Sequence, residues 1–540
     1  MEISDQLGTI KSIESFEIPD EMKKSILIII TLFFASCSQA LDDKLSPGSA
    51  NPEQATAQQA VTYYIDAQTG NDNNNGTSDK TPWQSLVRAN QLTLKAGDRL
   101  LFKRGSTFHG VLEICGHGQS GKPIEVGAYG KGERPKIVGY DESDYAVRIL
   151  NSEYLTLCDL EIVNAGKERK AQRTGLMVAC SDYGLSRCIT IDNLFIHDVN
   201  GSLVKEEGGG SALFIVNRGK TIASRFDSLT ISNCHIKDCA RNAMIWSGYY
   251  NRHDWLPNTH VVVRGNLIEG VPGDGIVPIG CDGTLIEYNV MRNCPDMLPM
   301  TEAAAGIWPW SCDNTIIQFN EVSDHKAPWD AQGYDCDYNC RNTLIQYNYS
   351  HDNYGGMVLI CDSGNERNYS IGNQGSRVRY NISIGDGMRS KETRQGMFSP
   401  NIHIAGRVED TQVDHNIIHS NPKTVGNADR TMVCSDSWDG YADNTSFTAN
   451  IFYTAETSRF EMTSSTNNLF SGNWYLGNYS SLPGDKAGRT VSHYYQQQVI
   501  DKDAKGYAGL LQLMDRKNIC GQDCHFVNKE KIERFFSLMD

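Results

Sequence analysis

Asp335 and Asp337 stand two residues apart in Gly333-Tyr-Asp-Cys-Asp337, and this pair is the clearest sign of chemistry in the chain. On a β-strand, residues i and i+2 share a face, with Cα atoms about 6.5–7 Å apart. Carboxylates this close push one pKa up, so one can keep a proton while the other is ionised. Glycoside hydrolysis uses such a pair, one carboxyl as acid and the other as base or nucleophile. Trp308 and Trp310, in Gly306-Ile-Trp-Pro-Trp310, occupy the same places one repeat earlier. If the repeats stack as strands, these indoles lie about 4.8 Å from the carboxylates. An indole face suits the apolar C–H face of a pyranose.

Around this core the candidate substrate-binding residues are Trp308, Trp310, Trp329, Asp330, His351, Asp362 and Arg389. Asp-x-Asp in an acidic, turn-rich chain also serves as plain surface charge or as a Ca²⁺ ligand pair. No other metal site and no organic cofactor are expected: no Cys-x-x-Cys pair is followed by a second pair or by His at zinc spacing. Asp274, in Pro272-Gly-Asp-Gly275, reads as a turn residue. A lyase would need a Lys or Arg base and a group that neutralises a uronate. Arg377, Arg379, Arg389 and Lys391 are the candidates, but none falls on the strand column that carries the aspartates. A sugar-binding surface protein, with the same ladder and no turnover, is the non-enzyme alternative.

The elements that must position these residues form a repeat. The pattern apolar, x, apolar, x, Asn recurs with Asn193, Asn233, Asn266, Asn289, Asn320, Asn348, Asn381, Asn416, Asn450 and Asn473, at intervals of 23 to 40 residues. Asp159 takes the Asn place in a first copy. Each copy reads as a strand of period 2 ended by a tight turn. Between copies lies a second strand opened by Gly, as at Gly175, Gly275, Gly306, Gly333 and Gly356. Residues one and three after this Gly should point inward: Leu176/Val178, Ile276/Pro278, Ile307/Pro309, Tyr334/Cys336 and Met357/Leu359. No stretch from Thr62 to Ser480 has a convincing helical period, so crossover helices are excluded. Strands repeating at this interval fit a solenoid, with Asn side chains bonded along the turn column. A β-propeller is the runner-up, disfavoured by the uneven repeat.

This pattern resembles the right-handed parallel β-helix of the pectin-lyase-like superfamily, over roughly residues 62–475. The entry segment, with Tyr63-Tyr-Ile-Asp, Asn75-Gly76, Pro82-Trp83, Phe102-Lys-Arg-Gly105 and Gly127-Ala-Tyr-Gly130, resembles the opening of exported β-helix polysaccharide-degrading enzymes. The resemblance implies an all-β solenoid with an N-terminal cap and a short C-terminal cap, acting on a polysaccharide or oligosaccharide. The Asn-Thr-Asp and Asp-Asp motifs of polygalacturonase-like enzymes are not present in that form. The expected division is 62–480 for the β-helix and 481–540 for the C-terminal cap, where Lys529 to Met539 forms a short amphipathic helix.

Upstream, Met22-Lys-Lys precedes a ten-residue run, Ser25 to Phe34, and then Ala35-Ser36-Cys37. A membrane span needs about 20 apolar residues. A basic start, a short apolar run and small residues make a signal peptide. Cys37 resembles the lipidated cysteine of bacterial lipoproteins, with natural translation starting at Met22. Residues 1–37 are then a signal region and 38–61 a linker. The resemblance implies export and a lipid anchor at the outer membrane. The other 15 cysteines should be mainly small buried hydrophobes, with one or two disulfides allowed. A net charge of −15 argues against nucleic acid as partner and, weakly, against a polyuronate. With 40 Asn, 49 Gly and 16 Pro in 540 residues, the chain suits strands joined by many turns. It is expected to act as a monomer.

Overall fold

The structure, a computed structural model, describes residues 59–362, 370–393, 395–491 and 507–539. Cys37 and the signal region lie outside the described residues. Three long parallel sheets stack coil upon coil. The first runs from Thr62–Ile65 through Leu155–Cys158 and Ile316–Gln318 to Leu469–Ser471. The second follows each tight turn, from Glu161–Asn164 through Tyr349–His351 to Trp474–Tyr479. The third contains the Gly-opened strands, from Leu112–Ile114 through Thr174–Ser181 to Tyr334–Cys336, Val358–Asp362, Ile402–Gly406 and Thr431–Asp436. Single bridges at Ile276–Ile307 and Ile307–Tyr334 carry the third sheet across its irregular middle. Only three short helices occur among the described residues.

The interior is the apolar half of each alternating strand. Leu176, Leu213, Met244, Ile276, Ile307, Tyr334 and Val358 follow one another in register and are fully buried. Of the expected inward pair Met357/Leu359, Met357 is in the core and Leu359 is corrected. Tyr334 pairs with Val358, so Val358 and Ile360 point in and Leu359 points out. A one-residue slip turns a whole strand over, and the adjacent Gly355 and Gly356 offered two anchors for the alignment. Glycine is required where coils touch most closely. A Cβ on Gly275 would meet the Gly306 carbonyl oxygen at 2.4 Å, and one on Gly306 would meet that of Gly333 at 2.3 Å.

The asparagine column is real but shorter than expected. From Asn266 to Asn473, each Nδ2 donates to the Oδ1 of the next asparagine at 2.8–3.0 Å, and Asp485 accepts the last bond. Asn193 and Asn233 belong to the neighbouring outer column. The Cys234 N–H donates to Asn266 Oδ1 at 2.9 Å, so Cys234, with Leu194 and Leu160 before it, fills the inner place. The outer column is left-handed throughout, with φ of 51° at Asn193, 54° at Asn233 and 55° at Tyr288. Asparagine tolerates that conformation, which is why one residue type occurs in both columns. Further along, the outer column is aromatic. Tyr288, Phe319, Tyr347, Tyr380 and His415 stack at 4.8–5.4 Å between ring centres. The helix Lys529–Ser537 covers this stack, Phe536 lying edge-on to Tyr380 and His415. All 15 cysteines other than Cys37 are unpaired, and most are buried.

Candidate functional site

Strand Tyr334–Cys336 turns Tyr334 and Cys336 into the core, where the Tyr334 hydroxyl lies 2.9 Å from the carbonyls of Asn320 and Tyr349. Asp335 and Asp337 therefore face outward. They are not open surface charge: Asp335 is only 4% exposed and Asp337 is half-buried. Loops entering from three coils cover them. Leu298, Ala304, Ala327 and Ala331 pack into a small separate core, with Leu203 and Tyr354 at its edge. Trp329–Asp330 pairs in parallel with Ala303–Ala304. Asp330 and Ala331 are both left-handed, at φ 56° and 66°. Arg389 holds this strained bend, donating to the carbonyls of Ala327 (3.2 Å), Pro328 (2.5 Å) and Asp330 (3.0 Å).

This enclosure sets the electrostatics. Burial raises the Asp335 carboxyl well above the usual carboxylate range, with Asp330, Asp337 and Asp274 adding repulsion. One buried oxygen of Asp335 has no hydrogen-bond partner among the described residues. Burial pushes Asp337 up to about 7, against the pull of the Tyr338 N–H (2.7 Å), the Cys361 thiol (3.2 Å) and Lys205. Asp330 is also raised by burial, with His403, Lys205 and Arg389 opposing the shift. Three carboxyl groups thus share one enclosure, each biased towards holding a proton.

Trp308 follows Ile307, whose carbonyl accepts from the Asp335 N–H at 3.1 Å. Trp308 Nε1 donates to Asp274 Oδ1 at 3.1 Å. Asp274 is ion-paired to Arg241, which also meets Glu302 at 3.1 Å, and all three are buried. Asp274 is thus corrected from a turn residue to a buried ion-pair member. Lys205 lies over the Trp308 ring at 5.5 Å, with its backbone N–H on Glu302. The expected sugar platform is therefore a wall: Trp308 is 6% exposed. The part-exposed indoles lining the cleft are Trp329 and Trp438, with Asp330, His403, Phe398 and Arg389.

Of the expected site residues, the structure gathers Trp308, Trp329, Asp330, Asp335 and Asp337, with Arg389 behind them. Arg389 lines the cleft but is 4% exposed, and it clamps the loop by donating to backbone carbonyls. Trp310 stacks on Tyr250 at 5.1 Å. His351 lies on the second sheet, bonded to Asp352 at 2.8 Å and Glu321 at 3.4 Å, and these partners raise it to about 9 despite its burial. Asp362 turns away from the outer face, accepting from the Asn339 N–H and the Ser370 hydroxyl at 3.1 Å each. Neither His351 nor Asp362 lines the cleft. Arg241, Glu302, Lys205 and His403 were not expected from the sequence. They come from other coils, and periodicity carries no signal for such pairings. A separate hollow of about 530 Å³, lined by Arg169, Asp198, Lys237, Asp238 and Glu269, lacks this enclosed carboxyl chemistry.

A family model described as a right handed beta helix region matches residues 221–388, a span that includes Asp274, Asp330, Asp335 and Asp337. A lacto-N-biosidase of Bifidobacterium longum subsp. longum is 26% identical over 465 residues, covering 67% of this chain and 28% of that protein. The chain thus spans little more than a quarter of that relative's length. An alpha-1,3-galactosidase A of Akkermansia muciniphila is 30% identical over 106 residues, 19% of this chain and 16% of that one. The solved GH136 lacto-N-biosidase from Eubacterium ramulus superposes with a TM-score of 0.57 at 23% identity, covering 80% of this chain and 68% of that chain. With the stacked parallel sheets, these findings establish a right-handed parallel β-helix.

Proposed function

We propose that this protein is a glycoside hydrolase acting on an oligosaccharide, with its catalytic centre in the carboxyl enclosure on the third sheet. The carrying observation is Asp337: a half-buried carboxyl raised to about 7, beside a second half-buried carboxyl, Asp330. An acid poised near neutrality is what protonation of a glycosidic oxygen needs. The 26% identity to a lacto-N-biosidase over two thirds of this chain supports the reading and makes that activity the first to assay.

Exposure distinguishes the three carboxyls. Asp330 and Asp337 are half-buried, whereas Asp335 is nearly closed off. We assign Asp337 as the acid that gives its proton to the leaving oxygen. Asp330, raised by burial but pulled back by His403, Lys205 and Arg389, is assigned as the carboxylate that attacks the anomeric carbon or takes a proton from water. Asp335, the most closed off and with its carboxyl raised furthest by burial and by its acidic neighbours, is assigned as a neutral group. This assignment puts Asp330, rather than Asp335, in the catalytic pair that the sequence suggested. Asp330→Asn and Asp337→Asn should each lose turnover by about 10²–10⁴-fold. Asp335→Asn keeps a neutral group and should lose far less. If Asp335→Asn is as damaged as Asp337→Asn while Asp330→Asn is active, the pair is Asp335 and Asp337.

Elimination has less support. Arg389 is spent on carbonyls, Arg379 donates to Gln346, Lys391 pairs with Asp296, and Arg377 lies on the first sheet. An unsaturated uronate product from any glycan would reverse that judgement. We further propose export with a lipid on Cys37. Cys37→Ser should then move the protein from the membrane to the soluble fraction, and a variant that stays on the membrane would refute the anchor.

A further inference from the structure

We propose that His403, Cys434 and Asp436 form a binding site for one Zn²⁺ on the outer face of the third sheet. The three residues lie on neighbouring parallel strands, Ile402–Gly406 and Thr431–Asp436, with His403 directly opposite Cys434. Cys434 and Asp436 are i and i+2, so they share a face. Asp436 lies opposite Ala405, whose methyl leaves space between the donors. One donor atom from each residue falls within 4.8 Å of the other two, and His403 Nε2 already lies 2.9 Å from Asp436 Oδ1. Among the described residues this is the one such three-donor group. The Asp335–Asp337 pair, expected as the Ca²⁺ alternative, belongs to no such group.

The donor chemistry selects the metal. Tetrahedral zinc bonds of about 2.0–2.3 Å place ligand atoms roughly 3.3–3.7 Å apart, so closure needs a contraction of about 1.5 Å at most. Thiolate and imidazole with one carboxylate suit Zn²⁺, whereas Ca²⁺ and Mg²⁺ require oxygen ligands. Three protein ligands leave a fourth position for water. His403 and Cys434 are buried, while the Asp436 side chain is 32% exposed and opens the site to solvent. The edges of Phe398 and Trp438 pack against the His403 ring at 5.0 and 5.6 Å and hold its orientation. Glu461, across the next strand from Cys434, and Asp429 nearby add negative charge that one arginine, Arg459, offsets.

The binding step balances simply. Zn²⁺ takes the Cys434 sulfur as thiolate and releases that proton to solvent. The neutral imidazole coordinates through Nε2 and carries its proton on Nδ1. One proton is therefore released per zinc bound by a neutral imidazole. His403 also lines the cleft and acts on Asp330, so the metal would sit at the edge of the proposed hydrolase site, but its binding is read without any turnover assay.

Calorimetric titration of the full chain with Zn²⁺ alone, in two buffers of different ionisation enthalpy, should show one site and about one proton released. Asp436→Asn and Cys434→Ser should each weaken binding by at least roughly 10–100-fold, the loss seen even for outer-shell partners. Cys520→Ser, at an exposed thiol, should change nothing. Co²⁺ in place of zinc should give a thiolate-to-cobalt charge-transfer band that Cys434→Ser abolishes. Asp436 is part-exposed at a strand end, so its variant keeps the test available if Cys434→Ser misfolds. Zinc affinity unchanged in Asp436→Asn, or a cobalt–thiolate band that survives Cys434→Ser, overturns the site.

Discussion

Replacing Asp337 with Asn should stabilise the protein while abolishing turnover, and the gain should depend on pH. An ordinary aspartate ionises near 3.8, but burial holds the Asp337 proton until about 7. Each tenfold in that ratio is worth 1.36 kcal/mol, so ionising Asp337 in the folded protein costs about 4 kcal/mol as an upper bound. The folded pKa is raised, so the contribution to stability is fully present below about pH 3.8. It declines as pH rises and is exhausted above about 7, where both folded and unfolded states are ionised. Asparagine keeps the shape without the charge. Guanidinium denaturation of wild type and Asp337→Asn at a series of pH values measures the difference. The two should nearly coincide at pH 4, diverge between 4 and 7 by up to about 4 kcal/mol, and run parallel above. A difference that is flat with pH, or an Asn variant that is less stable at pH 8, would refute the claim that this carboxyl is held protonated by burial.

The same residue should set the alkaline limb of the pH–rate profile, with kcat/KM falling above about pH 7 as Asp337 loses its proton. The Cys361 thiol, 3.2 Å from Asp337 Oδ1, favours the ionised carboxyl. Cys361→Ala should therefore move that limb to higher pH and Cys361→Ser should restore it, as read from pH–rate profiles. Asn320→Ala removes the side-chain bonds to Asn289 and Asn348 and leaves the buried Asn289 N–H without its acceptor. It should cost roughly 1–3 kcal/mol in denaturation, whereas Asn193→Ala, on the outer column, should cost much less.

How much was legible in the sequence follows from what repeats. Every coil has the same turn to make, so the Asn pattern and the two-residue alternation recur and reveal the solenoid. The alternation is also why Asp335 and Asp337 stood out: they are charged where neighbouring coils place Ile245, Val277 and Leu359. The errors arose where a repeat offers two equivalent choices. Gly355 and Gly356 permit two registers one residue apart, and asparagine serves both the left-handed outer column and the bonded inner one. Arg241, Glu302, Lys205 and His403 were hidden for another reason. They meet the site through loops and coils separated by tens of residues, and nothing periodic marks such a meeting. Cys434 and Asp436 were hidden in the same way, because their partner His403 lies on the adjacent coil.

The sheet and the loops have separate jobs in this site. The sheet supplies position: hydrogen-bonded coils fix Asp335 and Asp337 to one face of a strand that cannot slide, since a slip would turn Tyr334 and Cys336 out of the core. Position alone would leave two ordinary carboxylates in water. The loops around Lys205, Leu298 and Trp329 supply the burial, and burial is the largest cause of the raised carboxyls at Asp330, Asp335 and Asp337. Those loops have their own small core and their own clamp in Arg389. Loosening the clamp should therefore lower the three carboxyls towards their ordinary range without disturbing the asparagine ladder. On this view the chemistry resides in the insertions between coils, and the β-helix is the rigid frame against which they close.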